Sequence, residues 1–234
     1  MNKDFNKKIK IVFLLFTFYF LLSTLSVFAQ STPQFLVSWN SQSYTPNWYN
    51  GKIGATYGSS VNISFELIVG GKVADISKTG IRWYKNDKLV KNENNGLGIK
   101  NYSFINNTYG EDDIEIRISI PDYKGNTLDK IIKIPVKSPE VILDTKRFDR
   151  KLSKGVNPIT LWPFFFNVID NRELSFNLSS DKGAVSNLSN NSSIFNLELN
   201  QNALLDTGVR LQAIVKNIKN AMESASRMIQ YNIE

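Results

Sequence analysis

From Gln34 onward, apolar and polar side chains alternate at every second position over short runs, and clusters of Asn, Gly, Asp, Ser and Pro separate the runs. A period of two puts alternate side chains on opposite faces of an extended backbone, so the pattern predicts many short antiparallel strands. The runs are 34–39, 61–68, 81–85, 101–104, 114–120 and 128–136 in the first half. In the second half they are 141–144, 159–166, 174–178, 194–199, 209–216 and 227–233. The clearest is Asp113 to Ile120, with Ile at every second position and polar residues between. Pro121 to Asn126 then supplies turn residues and alternation resumes at Leu128, which predicts a hairpin. Such spacing of strands and turns suggests a β-sandwich in each half.

Ser138-Pro139 falls between two extended runs, and a proline there interrupts pairing and stiffens the connection. The expected division is a leader over 1–29 and two domains over 31–137 and 138–234. The closing hairpin of the first half can be laid over 209–215 and 228–233 of the second, a weak tandem repeat. One segment admits two readings. Leu211, Val215, Ile218, Met222, Ala225 and Ile229 also fall at helical spacing, so 209–229 is either strand, turn and strand or partly helical.

The first 29 residues differ from the rest. Four Lys precede a nearly uninterrupted apolar stretch from Ile11 to Leu22, and Val27-Phe28-Ala29 before Gln30 carries the small residues that a signal peptidase requires. Cleavage between Ala29 and Gln30 is one expectation. An uncleaved membrane anchor is the other, because Ile11 to Ala29 is long enough to span a bilayer. In both, the remainder is exported: periplasmic, extracellular or tethered to the outer side of the cytoplasmic membrane.

Charge and composition narrow the chemistry. Taking Lys3, Lys7, Lys8, Lys10 and the one acid Asp4 out of a formal +7 leaves +4, spread without a dense basic run, so nucleic-acid binding is not expected. Neither Cys nor His occurs in the 234 residues. That removes disulfides, thiolate nucleophiles, thiolate zinc sites and every His-dependent triad. The acids form small groups only, Glu111-Asp112-Asp113, Asp122 with Asp129, and Glu140 with Asp144, with no calcium-loop spacing. No metal or other cofactor is expected. Gly96-Leu97-Gly98 has no strand–turn–helix context and is a loop.

Ile81-Arg82-Trp83-Tyr84-Lys85-Asn86-Asp87-Lys88-Leu89-Val90 resembles the third strand and following turn of immunoglobulin-like domains, in which a Trp fills the space between two sheets. The paired Cys of antibody domains is missing. The chain as a whole resembles uncharacterised secreted bacterial proteins with tandem Cys-free immunoglobulin-like domains. The residues behind this likeness are Trp39, the run Ser43 to Lys52 and the aromatic strand Ile159 to Phe166, whereas Phe176 stands where the second domain would be expected to have a Trp. The resemblance implies an all-β chain of two tandem immunoglobulin-like sandwiches and a surface or envelope role. It implies no activity.

Structural core positions expected from this pattern are Trp39, Trp83, Trp162 and Phe176. Tyr44, Trp48, Tyr49 and Tyr57 crowd the entry to the first domain, where rings on a loop could stack on sugars or anchor a protein, or fold back as a cap. Trp162 to Phe166 is apolar at consecutive positions, which points to packing at the domain junction, and Pro163 suggests an edge or a bulge. The expected function is a non-enzymatic binding or spacer module for an envelope or surface partner. The alternative is a carbohydrate-binding module using the loop around Trp48 and Tyr49.

Overall fold

An extended run becomes a strand when its backbone finds a hydrogen-bonding neighbour, and nearly every run does so here. The computed structural model describes residues 32–234 apart from 111, 148, 190, 203 and 206. The leader expected over 1–29 and the cleavage expected between Ala29 and Gln30 fall outside the described residues. Among the described residues no helix is long and apolar enough to cross a membrane.

In the first half the strands are β1 (Gln34–Ser41), β2 (Ser60–Val69), β3 (Lys72–Val73), β4 (Arg82–Lys85), β5 (Lys88–Lys91), β6 (Asn101–Ile105), β7 (Ile114–Tyr123) and β8 (Asn126–Ile134). One sheet places β2 between β1 and β6, and the other runs β5-β4-β7-β8. Taken by itself, the segment Leu67–Ala74 is a tight hairpin turned by Gly70 and Gly71, both at positive φ. Ile114, Ile116, Ile118 and Ile120 are fully buried, the inward face that the alternation predicts. Trp83 is fully buried too, its ring centroid 5.7 Å from Phe65 on β2 and 5.7 Å from Tyr102 on β6, so it fills the gap between the sheets. Its indole N–H donates to the Ile99 carbonyl at 2.9 Å, which satisfies the one polar atom that burial would otherwise penalise.

The second half contains β9 (Glu140–Asp144), β10 (Lys151–Leu152), β11 (Gly155–Phe164), β12 (Leu174–Ser180), β13 (Ala184–Asn187), β14 (Ile194–Leu199), β15 (Gly208–Asn217) and β16 (Ser224–Ile233). Its sheets run β13-β14-β11-β9 and β10-β16-β15-β12. The short β10 pairs β16 in parallel, while its predecessor β9 pairs β11 in the opposite sheet, so the chain changes sheets between them. One continuous core joins Leu143, Ile159, Leu161 and Leu197 of the first sheet to Leu174, Leu211, Val215 and Tyr231 of the second. Two sheets, antiparallel but for β10, facing across such a core in each half define tandem immunoglobulin-like sandwiches.

Several local expectations are refined. Residues 209–229 are strand, turn and strand: β15 and β16 pair from Gly208–Asn232 through Lys216–Ser224, and the Asn217 side chain caps the turn by accepting from the Lys219 amide at 2.9 Å. The turn expected over Pro121 to Asn126 narrows to Lys124-Gly125, both at positive φ, while β7 continues through Pro121 because a register shift between Ile120 and Tyr123 relieves the ladder of its missing N–H. Pro163 lies in β11, which has neighbours on both sides. Yet β14 pairs only Gly155 to Thr160 and β9 only Thr160 to Phe164, so Pro163 sits where the strand has a single partner. The short strands β3, β5, β10 and β13 have no counterpart among the predicted runs.

Candidate functional site

Between β1 and β2 the chain makes a long excursion over residues 42–59, which carries Tyr44, Trp48, Tyr49 and Tyr57. Its first part packs on the aromatic end of β11. Tyr44 exchanges main-chain hydrogen bonds with that segment: its N–H donates to the Phe166 carbonyl and its carbonyl accepts from the Phe165 N–H, both at 2.7 Å. Trp48 meets Trp162 and Phe164 edge to face at 5.5 and 5.6 Å, and Tyr49 meets Phe164 and Phe165 at 5.6 and 6.1 Å. Edge-to-face pairs of this kind each contribute about 0.5–1.5 kcal/mol beyond the area they bury.

This contact explains the unbroken apolar run on β11. Phe164 and Phe165 are covered by Tyr49, while Phe166 is fully buried in the core of the second sandwich, where Tyr44 packs as well. Phe165 stands at φ +59°, a conformation in which a bulky L-residue is strained. The turn it makes lets consecutive rings point to different neighbours. Burial, followed by the negative charge of Asp170, raises the pKa of the Tyr44 phenol above its ordinary value.

The other end of the excursion is held by buried hydroxyls and one amide. Ser59 Oγ donates to the Thr56 carbonyl at 2.8 Å, Ser43 Oγ donates to the Gly54 carbonyl at 2.9 Å, and the Thr56 amide donates to both hydroxyls. Asn106, fully buried, donates from Nδ2 to the carbonyls of Thr56 and Thr108 at 3.1 and 3.2 Å and accepts the Thr108 amide at 2.9 Å. It therefore ties together the two loops that carry Tyr57 and Tyr109. Those rings stack in parallel, with centroids 3.7 Å apart and an interplanar angle of 13°. They remain 37% and 67% exposed.

Beside this stack lies a cavity of about 90 Å³, lined also by Thr56, Pro139, Met222 and Glu223. Thr56 is buried, and its hydroxyl is the one buried side-chain polar atom among the described residues without a hydrogen-bond partner. Leaving such a group unpaired costs about 1–3 kcal/mol. Glu223 is buried as well. Its carboxylate accepts from the Asn167 amide at 2.5 Å and from Asn217 Nδ2 at 2.6 Å, so its charge is engaged by the protein itself.

The four loop aromatics thus divide between two places. Tyr44, Trp48 and Tyr49 lie at the aromatic contact with β11, and Tyr57 stands apart on Tyr109. Of the expected core aromatics, Trp83 is fully buried, whereas Trp39, Trp162 and Phe176 are half-buried. Lys52 Nζ sits 3.9 Å above the Trp39 ring, Trp162 Nε1 donates to Asp144 at 3.3 Å, and Phe176 packs on the margin of the second core. Among the described residues no cluster of acidic side chains could hold a metal ion. Asn106, Tyr109 and Glu223 are absent from the sequence-based candidates. In the sequence Asn106 and Thr108 form only an Asn-x-Thr triplet, and nothing local distinguishes a structural amide from a chance triplet in so Asn-rich a chain.

No protein-family model matches the chain, and no curated protein matches it in sequence. Among solved structures it is similar to the fibronectin(III)-like modules of Clostridium thermocellum CbhA, at 12% identity and a TM-score of 0.29 over 85% of this chain and 93% of that one. It is similar also to three N-terminal domains of the bacteriophage RB49 highly immunogenic outer capsid protein, at 10% identity and a TM-score of 0.40 over 86% of this chain and 59% of that one. A third is the N-terminal Ig1-2 module of the Drosophila receptor protein tyrosine phosphatase DLAR, at 12% identity and a TM-score of 0.28 over 86% and 98%. These values are low, and the assignment of the fold rests on the strand order described above.

Proposed function

We propose that this chain is an exported, non-enzymatic module of the cell envelope or surface, in which two immunoglobulin-like sandwiches act as one unit that binds a partner or spaces other components. The observation that carries this reading is the aromatic joint. Tyr44 adds a main-chain bridge to the residues that follow β11, and Trp48 and Tyr49 place their rings on Phe164 and Phe165. A joint with both directional hydrogen bonds and interlocked rings resists hinge motion, and fixed spacing is what a spacer or a two-domain binder needs. The lack of His and Cys supports a role without thiolate or His-based chemistry. The basic, apolar leader supports export.

The test is rotational. In 15N relaxation on the chain lacking residues 1–29, both sandwiches should share one correlation time, and the Trp48→Ala, Tyr49→Ala double variant should separate them. Independent tumbling of the unaltered protein would remove the basis of the proposal. Mass spectrometry of the protein recovered from cells addresses export: a mature start at Gln30 or an intact leader in the membrane fraction supports it, and full-length protein in the cytosol overturns it.

A carbohydrate-binding alternative at Trp48 and Tyr49 retains one supporting observation. Trp48 is 53% exposed despite its two ring contacts, so part of its surface stays open to a ligand. Loss of polysaccharide retention in Trp48→Ala alone would favour it.

A further inference from the structure

We infer that the open seam between β9 and β16 of the second sandwich takes an extended peptide strand with an acidic residue at its centre, an inference that rests on the reading of the chain as a partner-binding module. The main chain names the occupant. On β16 the Ile233 N–H donates toward β15, to the Thr207 carbonyl, whereas the Asn232 and Glu234 N–H groups donate the other way, to the Arg150 and Leu152 carbonyls at 3.0 and 2.9 Å. Successive residues of a strand send their N–H and C=O to opposite sides, so Ser226, Met228 and Gln230 face the same side as Asn232. β10 covers that side only at Asn232 and Ile233, and no strand among the described residues pairs the stretch before it. β9 presents the matching edge. The Leu161 N–H of β11 points away from β9, to Ser193, so Trp162 and Phe164 bond Ile142 and Glu140 and the backbone of Val141 and Leu143 is left facing outward. Between the two edges lies a cleft of about 380 Å³, lined by Ile142, Leu143, Ala225, Arg227 and Ile229 among others. Unpaired main-chain donors and acceptors at every second residue are met by another extended backbone.

Charge supplies the register. Arg227 is on the face of β16 that carries Ala225, Ile229 and Tyr231 toward the core, yet it is exposed and forms no ion pair among the described residues. A strand laid in the seam brings one inward side chain against this guanidinium, where an acid fits, and places its neighbours two residues away against Ala225, Ile229 and Leu143. Glu140 also borders the cleft, but on the outward face of β9 with Ile142. The equivalent edge of the first sandwich is guarded. β8 too is covered in parallel only past its end, where Ala55 bridges Val136, but its open stretch carries Asp129, Lys130 and Lys133, and such charges discourage strand addition. From Ser224 to Gln230 the one charge is Arg227. A single inward cation rejects a strand that cannot pair it and admits one that can, so it selects rather than closes the edge. A second copy of this chain is the rival occupant. Two β16 edges paired symmetrically would set both Arg227 side chains on one face of a joined sheet with no acid between them, which is unfavourable.

The seam lies within the second sandwich and does not depend on the aromatic joint. Independent tumbling of the sandwiches would remove the joint and leave peptide binding in place, and failure of peptide binding would leave the joint in place. The probe is a labelled ten-residue peptide of alternating Thr and Val in which one central Val is replaced by Glu, titrated by fluorescence anisotropy into the chain lacking residues 1–29. It should bind, and the same peptide with Lys for Glu, or with alternate amides N-methylated, should bind at least roughly tenfold more weakly. Arg227→Glu, at an exposed position without a partner, should reverse the preference in favour of the Lys peptide. In amide hydrogen exchange, the peptide should protect Ser226 and Met228, while Arg227, whose N–H already faces β15, serves as the reference. No binding of the Glu peptide, equal binding of the Glu and Lys peptides, or binding without protection of Ser226 and Met228 would each overturn the inference. So would a dimer in sedimentation velocity whose formation protects the same two amides, which would assign the seam to a second copy.

Discussion

The two sandwiches share a plan and part company most clearly at the strand that follows the central aromatic one. In the first, β5 turns straight back onto β4 and stays in its sheet. In the second, β13 leaves β12 and joins β14 in the opposite sheet. The difference lies in a few turn residues. Asn86 and Asp87, at φ +48° and +61°, form the two-residue turn whose twist suits a hairpin, so the chain folds back at once. Asp181 instead bonds to Arg210 on β15, and Gly183 at φ +80° redirects the chain across the sandwich. Local turn chemistry thus decides which sheet the middle strand enlarges, while the buried alternation of the other strands decides that there are two sheets at all.

The halves also differ at the centre. The first is organised around Trp83, and the second has Phe176 at its margin. Trp83→Ala should therefore cost about 3–5 kcal/mol, read as a lower denaturation midpoint in urea. Phe176→Ala, truncating a half-buried ring, should cost about 1–2 kcal/mol. Equal losses would mean that the second sandwich depends on its Phe as the first does on its Trp. Gly183→Ala should cost at least about 1–2 kcal/mol, since the new Cβ would stand 2.5 Å from the Glu198 carbonyl oxygen at a backbone angle unfavourable to L-residues. In the opposite direction, Asp87→Gly should stabilise the first sandwich by about 0.5–1 kcal/mol by relieving the left-handed position of its hairpin. Thermal melts of the two turn variants check both signs.

The smallest expected effect is acid sensitivity. Hydrogen bonds from Arg172 and Lys219 hold Asp170 and Glu173 below their ordinary values of 3.8 and 4.5, and Arg147 does the same for Asp149. In the first sandwich, Asp75 and Glu93 are lowered mainly by backbone amides. A carboxylate with a depressed folded pKa contributes stability above its unfolded value and loses it as pH falls through the folded one. Melting temperature should therefore be level at pH values above the ordinary carboxylate range and decline below it. Added salt should reduce the contribution of the Arg- and Lys-paired groups, because none of their carboxylates is buried. A decline already under way at pH 6 would contradict this assignment.

Twelve of the strands can be located from alternation alone, because each buries one face and a period of two survives in the sequence. The four that cannot are short. β3 and β10 have two residues each, too few to show a period, and β5 and β13 are edge strands with mostly exposed side chains. The helical spacing across 209–229 misleads because Ile218 and Met222, which complete it, are exposed turn residues. For the candidate sites, the aromatic residues of the excursion stand out in the sequence and their partners do not. Tyr44, Trp48 and Tyr49 meet β11 more than 100 residues further along, and Tyr57 meets Tyr109, pairings that only the folded chain creates. Asn106 is invisible for a related reason: its role lies in which carbonyls it reaches.

Phe165 carries a further consequence. Its left-handed backbone costs about 1–3 kcal/mol and persists only while its surroundings hold it there. Part of that grip comes from Tyr44 and Tyr49, which belong to the other sandwich. The contacts link the halves thermodynamically rather than leaving them merely adjacent: the second keeps its strained corner through contacts made by the first, and loosening the excursion should lower the melting temperature of a sandwich to which it does not belong.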